Sequence, residues 1–197
     1  MDMPRDDPDA TPEEALLAAF AAGDRAAARA LTQRLTPRVL AHAYRLLGNR
    51  AEAEEVAQEA MLRLWRQAPE WRAGEAKPST WLYRVTANLC IDRRRRARAG
   101  EVPLDAVPEP PDTSPAAIER MQARARAEAL QAALGDLPER QREAVVLRHI
   151  EGLSNPEIAA IMGTSIEAVE GLTARGRRAL AAALGHRKEE LGHVDER

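Results

Sequence analysis

Cysteine and aromatic residues are scarce in this chain of 197 residues: Cys90 is the only cysteine, and Phe, Trp and Tyr together make up 3% of the sequence. A single cysteine excludes an intramolecular disulfide and a metal site built from several cysteines. With so few aromatic side chains, the core must consist mainly of Ala, Leu, Val and Ile, which suits closely packed helices. Runs of Thr, Val and Tyr with period-two alternation are also absent, so we expect an all-α fold.

Long apolar runs, a signal peptide and catalytic motifs are absent as well. No apolar run approaches the length of a membrane span, and the chain begins with the acidic sequence MDMPRDDPDATPEE. The four histidines are scattered, and no Cys–His or carboxylate pair has the spacing of a catalytic motif. We therefore expect a cytoplasmic protein that does not insert into a membrane, is not an enzyme, and has no cofactor or metal site.

Lysine is also scarce: among the 29 basic residues, only Lys77 and Lys188 are lysines. Arginine is favoured where planar, multidentate phosphate contacts matter, although a GC-rich genome would enrich it too. The formal net charge of −2 hides an uneven distribution. Acidic stretches at the N-terminus and over 99–119 alternate with the basic RRRRAR (93–98) and ARGRRALAAALGHR (174–187).

Capping signals and prolines divide the chain into helical blocks. Thr11-x-x-Glu14 is a capping box, Asp24 and Ser79 are candidate N-caps, and Thr36-Pro37 is a possible break. Five prolines between 103 and 115 exclude a packed helix there. This pattern predicts two small helical domains, over 1–98 and 115–197, joined by a Pro-rich acidic linker over 99–114.

The segment 153–180, LSNPEIAAIMGTSIEAVEGLTARGRRAL, has the pattern of a helix-turn-helix. Ser154-x-x-Glu157 is a capping box that begins the first helix. Ala159 is small where the helices would cross, Gly163 permits the left-handed turn, and Val169 would pack back. The N-terminal residues of the second helix would enter a major groove. An ordinary helical hairpin is the alternative.

The segment 79–99, STWLYRVTANLCIDRRRRARA, predicts an amphipathic helix with a basic end. Its aromatic, amide and guanidinium groups suit contacts with the bases and phosphates of separated strands. A core helix with a charged end would have the same pattern, and Cys90 within it is expected to be a small core residue.

These segments, together with AEAEEVAQEAMLRLW and LPERQREAVVLRHIEGLSNPEIAAIMGTSIEAV, occur in the order found in bacterial sigma factors. Over residues 24–185 the chain resembles the small two-domain extracytoplasmic-function (ECF) group. The resemblance implies a protein that recruits core RNA polymerase, recognises and melts promoter DNA, and is held inactive by an anti-sigma factor.

The resemblance also implies three sets of contact residues. Those expected to bind core polymerase are Glu54, Glu55, Gln58, Glu59, Leu62 and Trp65. Those expected at the minus-ten element are Lys77, Trp81, Asn88, Asp92, Arg93, Arg94, Arg95 and Arg96. Those expected at the minus-thirty-five element are Ser165, Glu167, Ala168, Glu170, Gly171, Arg175, Arg177 and Arg178.

The chain departs from the family pattern at Glu170, Gly171 and Leu172, where many relatives have a basic residue, a small polar residue and an arginine. Glutamate can accept from the amino group of cytosine, so we interpret the change as altered specificity or weaker reliance on this helix. The departure also motivates an alternative, a sigma-like mimic that sequesters an anti-sigma factor without directing transcription. The intact RRRRAR and Asn88 argue against it, and a simple helix-turn-helix repressor would leave the first domain unexplained.

Overall fold

The computed structural model describes residues 11–72, 74, 76–98 and 115–192, and within these ranges every regular element is helical. The α-helices are α1 (Glu13–Ala21), α2 (Arg25–Leu47), α3 (Arg50–Gln67), α4 (Pro78–Arg98), α5 (Pro115–Gly135), α6 (Glu139–Val145), α7 (Asn155–Met162) and α8 (Ile166–Gly192). A 3-10 turn (Ala68–Glu70) follows α3, and a π-helical turn (Val146–Ile150) follows α6. The prediction of an all-α fold is confirmed. None of the described helices combines the length and the apolar composition that a membrane span requires.

Helices α1 to α4 form one unit, residues 11–98, which we call the N-terminal unit. Leu31 and Leu35 of α2 pack with Leu64 of α3, Leu82 of α4 and Leu17 of α1, and all five side chains are buried. The apolar residues recur at helical spacing, so each helix buries one stripe against its neighbours. Branched aliphatic residues and alanines fill this core, as the scarcity of aromatic residues predicts.

Tertiary contacts change the predicted beginnings of two helices. Helix α1 begins at Glu13 without a side-chain cap, so the capping box predicted at Thr11 does not form. Helix α4 begins at Pro78, so Ser79 lies inside the first turn instead of capping it. The carboxylate of Glu13 accepts from the backbone N–H of Ser79 at 2.9 Å, which places an acidic group at the N-terminus of α4.

Two further local predictions concern α2: a cap at Asp24 is confirmed, and a break at Thr36-Pro37 is wrong. Asp24 caps α2, because its carboxylate accepts from the N–H groups of Ala26 and Ala27 at 2.8 and 3.3 Å. The possible break at Thr36-Pro37 does not occur, and α2 continues through Pro37 to Leu47.

Helices α5 to α8 form the C-terminal unit, residues 115–192, and contain the predicted helix-turn-helix. Gly163 ends α7 in the left-handed conformation, with φ of +58°. Ser165 caps α8, since its hydroxyl accepts from the N–H of Ala168 at 3.2 Å. Val169 is fully buried against α7, so the local geometry predicted from these residues is confirmed.

The two units contact each other through α4 and α7 and through α2 with α5 and α6. Tyr83 of α4 is buried in an apolar cluster whose other members belong to the C-terminal unit. The predicted linker, residues 99–114, lies outside the described residues.

Candidate nucleic-acid and protein interfaces

An open groove of about 310 Å³ runs between α2 and α3. Its lining residues are Thr36, Leu40, Glu54, Ala57, Gln58, Met61, Leu62 and Trp65. Four of the residues predicted to bind polymerase are therefore brought together here, because Glu54, Gln58, Leu62 and Trp65 follow one another at intervals of four, four and three along α3.

The chemistry of this groove combines an apolar floor with a polar rim. Leu62 is 41% exposed, a large fraction for a leucine, and Trp65 is half-buried with its ring 4.7 Å from that of Phe20. Glu54 and Gln58 are exposed beside them. An apolar strip with acidic and amide groups at its edge suits a partner helix that has apolar and basic side chains.

The remaining two residues of that predicted set lie outside the groove. The carboxylate of Glu55 pairs with Arg93 of α4 at 2.5 Å. The carboxylate of Glu59 pairs with Arg63 at 2.8 Å, and this hydrogen bond lowers the pKa of Glu59. Glu55 and Glu59 each follow a groove residue by one position. Because a step of one residue turns the side chain by about 100° around the helix, neither glutamate lines the groove.

Helix α4 presents one exposed strip toward solvent. Asn88, Asp92 and Arg95, all predicted at the minus-ten element, lie on it, with Asp92 and Arg95 paired at 3.2 Å. Arg84 and Ile91 share the strip, and Ile91 is 40% exposed. Neither residue is in the predicted set, although Arg84 lies four residues before Asn88, and Ile91 is an apolar group that an unstacked base could contact.

The four arginines that end α4 do not share one face. Arg95 and Arg96 are exposed, whereas Arg93 is bonded to Glu55. Arg94 turns toward the C-terminal unit, where it lines a crevice with Glu139 and Glu143. Four consecutive residues span most of a helical turn, so they cannot all contact the same phosphates.

The start of α4 contains the two remaining residues of the minus-ten set. The carbonyl of Lys77 accepts from the N–H of Trp81 at 3.1 Å, which begins the helix. The Trp81 ring meets that of Trp71 edge to face, with centroids 5.9 Å apart. Trp81 is half-buried and Lys77 is exposed, while residues 73 and 75 of the preceding loop lie outside the described residues.

The start of α8 is accessible over most of the residues predicted at the minus-thirty-five element. Ser165, Glu167, Glu170, Arg175, Arg177 and Arg178 are exposed, and Ala168 and Gly171 are half-buried. Glu170 lies 3.4 Å from the side-chain amide of Asn155 on α7. A Cβ atom at Gly171 would lie 3.2 Å from Nη1 of Arg175, so the guanidinium of Arg175 lies against Gly171.

Comparisons with known proteins match both helical units. The family models for Sigma-70 region 2 and Sigma-70 region 4 match residues 31–100 and 127–180. ECF RNA polymerase sigma factor SigM of Mycobacterium tuberculosis is 39% identical over 173 residues, covering 87% of this chain and 84% of SigM. ECF RNA polymerase sigma factor SigE of Mycolicibacterium smegmatis is 38% identical over 177 residues, covering 86% of this chain and 67% of SigE.

Solved structures show the same arrangement of helices. CnrH, in its complex with the cytosolic domain of CnrY, matches with a TM-score of 0.64 and 29% identity over 88% of this chain and 97% of CnrH. RpoE of Bartonella quintana, in complex with the anti-sigma factor NepR, matches with a TM-score of 0.63 over 85% of this chain and 98% of RpoE, and at 22% identity it supports the fold alone. The chain therefore belongs to the ECF group of RNA polymerase sigma factors, the subunits that direct promoter recognition and transcription initiation.

Proposed function

We propose that this sigma factor acts through three separate surfaces, without catalysing a reaction of its own. The groove between α2 and α3 binds core RNA polymerase, the exposed strip of α4 binds the minus-ten element, and the start of α8 binds the minus-thirty-five element. The observation that supports this assignment best is the groove, where Glu54, Gln58, Leu62 and Trp65 converge on one face of α3.

At the groove, the exposed Leu62 supplies the apolar anchor for a helix of core polymerase. A leucine exposed to 41% contributes little to the fold of the free chain, and its burial by a partner is favourable. The carboxylate of Glu54 accepts hydrogen bonds from polar groups at the edge of that partner helix, and the amide of Gln58 both donates and accepts them.

At the minus-ten element, the strip of α4 binds a single strand. Asn88 both donates and accepts, as the recognition of a base flipped out of the stack requires. Arg84 and Arg95 flank it and contact phosphates, and Ile91 packs on a base.

At the minus-thirty-five element, the first two turns of α8 enter the major groove. Glu167 and Glu170 are exposed there and accept from the amino groups of cytosine, which favours a different upstream sequence from that of relatives with basic residues. Arg175, Arg177 and Arg178 contact flanking phosphates and offset the repulsion between the two glutamates and DNA.

An anti-sigma factor is the regulatory partner that we propose for this chain. RpoE of Bartonella quintana was solved with such a protein, NepR. The groove between α2 and α3 offers an exposed apolar strip for it, so the anti-sigma factor would compete with core polymerase.

The substitution Leu62→Glu tests the groove. It places a charge on the apolar strip, and we expect at least about a tenfold loss of affinity for core polymerase, because a buried unpaired charge costs more than 1.4 kcal/mol. The matched control is Ala125→Glu, which adds the same charge to an exposed position of α5.

Affinity is measured by fluorescence anisotropy with core polymerase and activity by run-off transcription. Wild type and Ala125→Glu are expected to bind and to initiate alike. Equal binding by Leu62→Glu would remove the groove from the proposal, and a wild type that neither binds core nor initiates would contradict the proposal as a whole.

A further inference from the structure

Ile166 is the first residue of α8, and its side chain is 41% exposed. The large apolar side chains that are highly exposed in the described part of the chain are Tyr44, Leu62, Ile91 and Ile166. Leu62 lies in the groove proposed for core polymerase, and Ile91 lies on the strip proposed for the minus-ten element. Ile166 lies at the end of α8 proposed for the minus-thirty-five element, but the contacts proposed there do not use it.

The packing of the C-terminal unit does not depend on the Ile166 side chain. The apolar cluster between α7 and α8 contains Ile158 and Ile161 of α7 and Val169 of α8, which is fully buried. None of the apolar clusters in the described residues includes Ile166. Burial of this side chain by a partner is therefore favourable.

The turn before α8 fixes the backbone at Ile166. Gly163 is in the left-handed conformation, with φ of +58°, and the hydroxyl of Ser165 accepts from the N–H of Ala168 at 3.2 Å. The carbonyl of Ser165 accepts from the N–H of Val169 at 3.1 Å, which closes the first turn of the helix. The position of Ile166 is thus set before a partner binds, and this lowers the entropic cost of a contact.

Glu170 shares a face of α8 with Ile166, because it follows four positions later. Its carboxylate accepts from Nδ2 of Asn155 on α7 at 3.4 Å, which holds the side chain of Glu170 in place. The carboxylate of Glu167 instead accepts from its own N–H and from the hydroxyl of Ser165, and these bonds lower its pKa and hold it at the start of the helix. Glu170 is therefore the hydrogen-bond acceptor that is paired with Ile166.

Basic side chains further along α8 indicate that the partner of Ile166 is a nucleic acid. Arg175, Arg177 and Arg178 follow on the same helix and are exposed. The guanidinium of Arg175 lies back against Gly171, because a Cβ there would be 3.2 Å from its Nη1 atom. An apolar group and an acceptor beside three cations suit a duplex, in which phosphates flank the base edges of the major groove.

The two side chains match different groups on the bases. Thymine presents an apolar methyl group in the major groove, and cytosine presents an amino group from which glutamate accepts. Cβ atoms four positions apart on a helix are separated by about 5–6 Å, and successive base pairs by about 3.4 Å. We propose that Ile166 contacts the methyl group of a thymine one or two base pairs from the cytosine that Glu170 binds. The inference rests on the proposed function, because α8 must bind the minus-thirty-five element.

Replacement of thymine by deoxyuridine tests this contact, because it removes the methyl group and leaves base pairing unchanged. The thymines in the upstream block of a promoter found by run-off transcription are replaced one at a time. Affinity is measured by filter binding with holoenzyme formed from core polymerase and the full chain. We expect one thymine whose replacement weakens binding about fourfold, the effect of leaving one methyl group unburied.

The substitution Ile166→Ala identifies the side chain that contacts the methyl group. For this variant, deoxyuridine at the sensitive position should change the affinity less than about twofold, because the two changes remove the same contact. Tyr44→Ala is the matched control, since it shortens an exposed large apolar side chain on α2. It should keep the fourfold response of wild type.

The substitution Glu170→Ala locates the cytosine. The base pair at which this variant loses its preference for cytosine should lie one or two base pairs from the sensitive thymine. A separation of more than two base pairs would contradict the proposed arrangement of the two side chains.

The proposal is overturned if wild-type holoenzyme responds to no thymine of the upstream block, or if Ile166→Ala keeps the full response. It is also overturned if Ile166→Ala lowers the affinity for core polymerase instead, since Ile166 would then belong to a protein interface. Circular dichroism checks the fold. If Ile166→Ala loses helix content, Ile166→Val replaces it and should reduce the response to the methyl group.

Failure of the proposed function gives a different result. If neither Ile166→Ala nor Glu170→Ala changes the dependence on any upstream base, α8 does not bind the upstream block, and both proposals are wrong. If only Ile166→Ala changes it, the role proposed for Glu170 is wrong and the contact of Ile166 with thymine stands. If only Glu170→Ala changes it, the proposed function of α8 stands and the inference about Ile166 is wrong.

Discussion

Helices α4 and α8 are the two proposed DNA-binding helices, and they differ in how much of their surface is already bound within the molecule. At the start of α8 the polar residues of the predicted set are exposed. On α4, Arg93 is paired with Glu55, Arg94 lines a crevice with Glu139 and Glu143, and Tyr83 is bonded to Glu151. The first turns of α8 therefore keep most of their polar groups open to a partner, whereas on α4 only the strip that contains Arg84, Asn88 and Arg95 is open and the other side is occupied within the molecule.

The substitution Arg142→Ala has the largest expected effect, because it removes a buried side chain that joins the C-terminal unit to the end of α2. The buried guanidinium donates to the carbonyls of Leu134, Gly135 and Leu137 and, across the units, of Leu46. Leaving these carbonyls unpaired should lower the free energy of unfolding by about 3 kcal/mol or more.

Urea denaturation measures this loss, with the exposed Arg126→Ala as control at less than about 0.5 kcal/mol. A loss below about 1 kcal/mol for Arg142→Ala would mean that water replaces these bonds and that they contribute little to stability.

Two glycines of α8 test which parts of this helix are packed and which are open. Substitution by alanine should change the stability in opposite directions at the two positions. A Cβ at Gly176 would lie 2.6 Å from Cγ2 of Val145 and 3.1 Å from the carbonyl of Gln141, so Gly176→Ala should cost about 1–3 kcal/mol by overpacking α6. Gly171→Ala meets only the movable end of Arg175 and should gain up to about 1 kcal/mol from helix propensity.

Thermal unfolding of the two variants measures both effects. If Gly171→Ala destabilises the chain as much as Gly176→Ala does, the start of α8 is packed against other residues and is not an open surface.

Ionisation of Glu143 makes stability depend on pH at the crevice beside α4, with an expected effect smaller than that of Arg142→Ala. Burial raises its pKa from 4.5 to about 7, with Arg140 opposing and Glu139 adding to the rise. The folded chain therefore keeps a proton that the unfolded chain releases, so stability falls as the pH rises from 4.5 to 7 and is level above that. We expect a loss of about 1–3 kcal/mol across this window.

Urea denaturation at pH 5 and pH 8 measures the slope, and Glu143→Gln, which cannot ionise, should reduce it. Glu151 has a lowered pKa, so its contribution is lost only below pH 4.5 and does not affect this window. If the slope of stability against pH is unchanged in Glu143→Gln, another titratable group causes the pH dependence.

Much of the fold was predictable because its signals are local. Gly163 and Ser165 identify the turn between α7 and α8 from neighbouring residues alone. The spacing of Val56, Ala60 and Leu64 likewise identifies the buried stripe of α3. Such features need only helical periodicity and backbone conformation.

The remaining features depend on partners that are distant in sequence. Tyr83 and Glu151 are 68 residues apart, and neither has a neighbour that indicates the other. Arg93 and Arg94 have different surroundings because different helices pack on the two sides of α4: Arg93 is bonded to Glu55, and Arg94 lines a crevice with Glu139 and Glu143. Ser79 was predicted as a cap, yet its N–H is bonded to Glu13, 66 residues earlier.

Mapping of RNA 5′ ends on genomic DNA, transcribed by core polymerase with this sigma factor, tests whether α4 and α8 bind separate promoter elements. We expect discrete starts preceded by two sequence blocks, with Asn88→Ala changing the dependence on the downstream block only and Glu170→Ala on the upstream block only. If core polymerase binds the protein but no discrete starts arise, or if both variants alter the same block, the assignment of α4 and α8 to separate promoter elements is wrong.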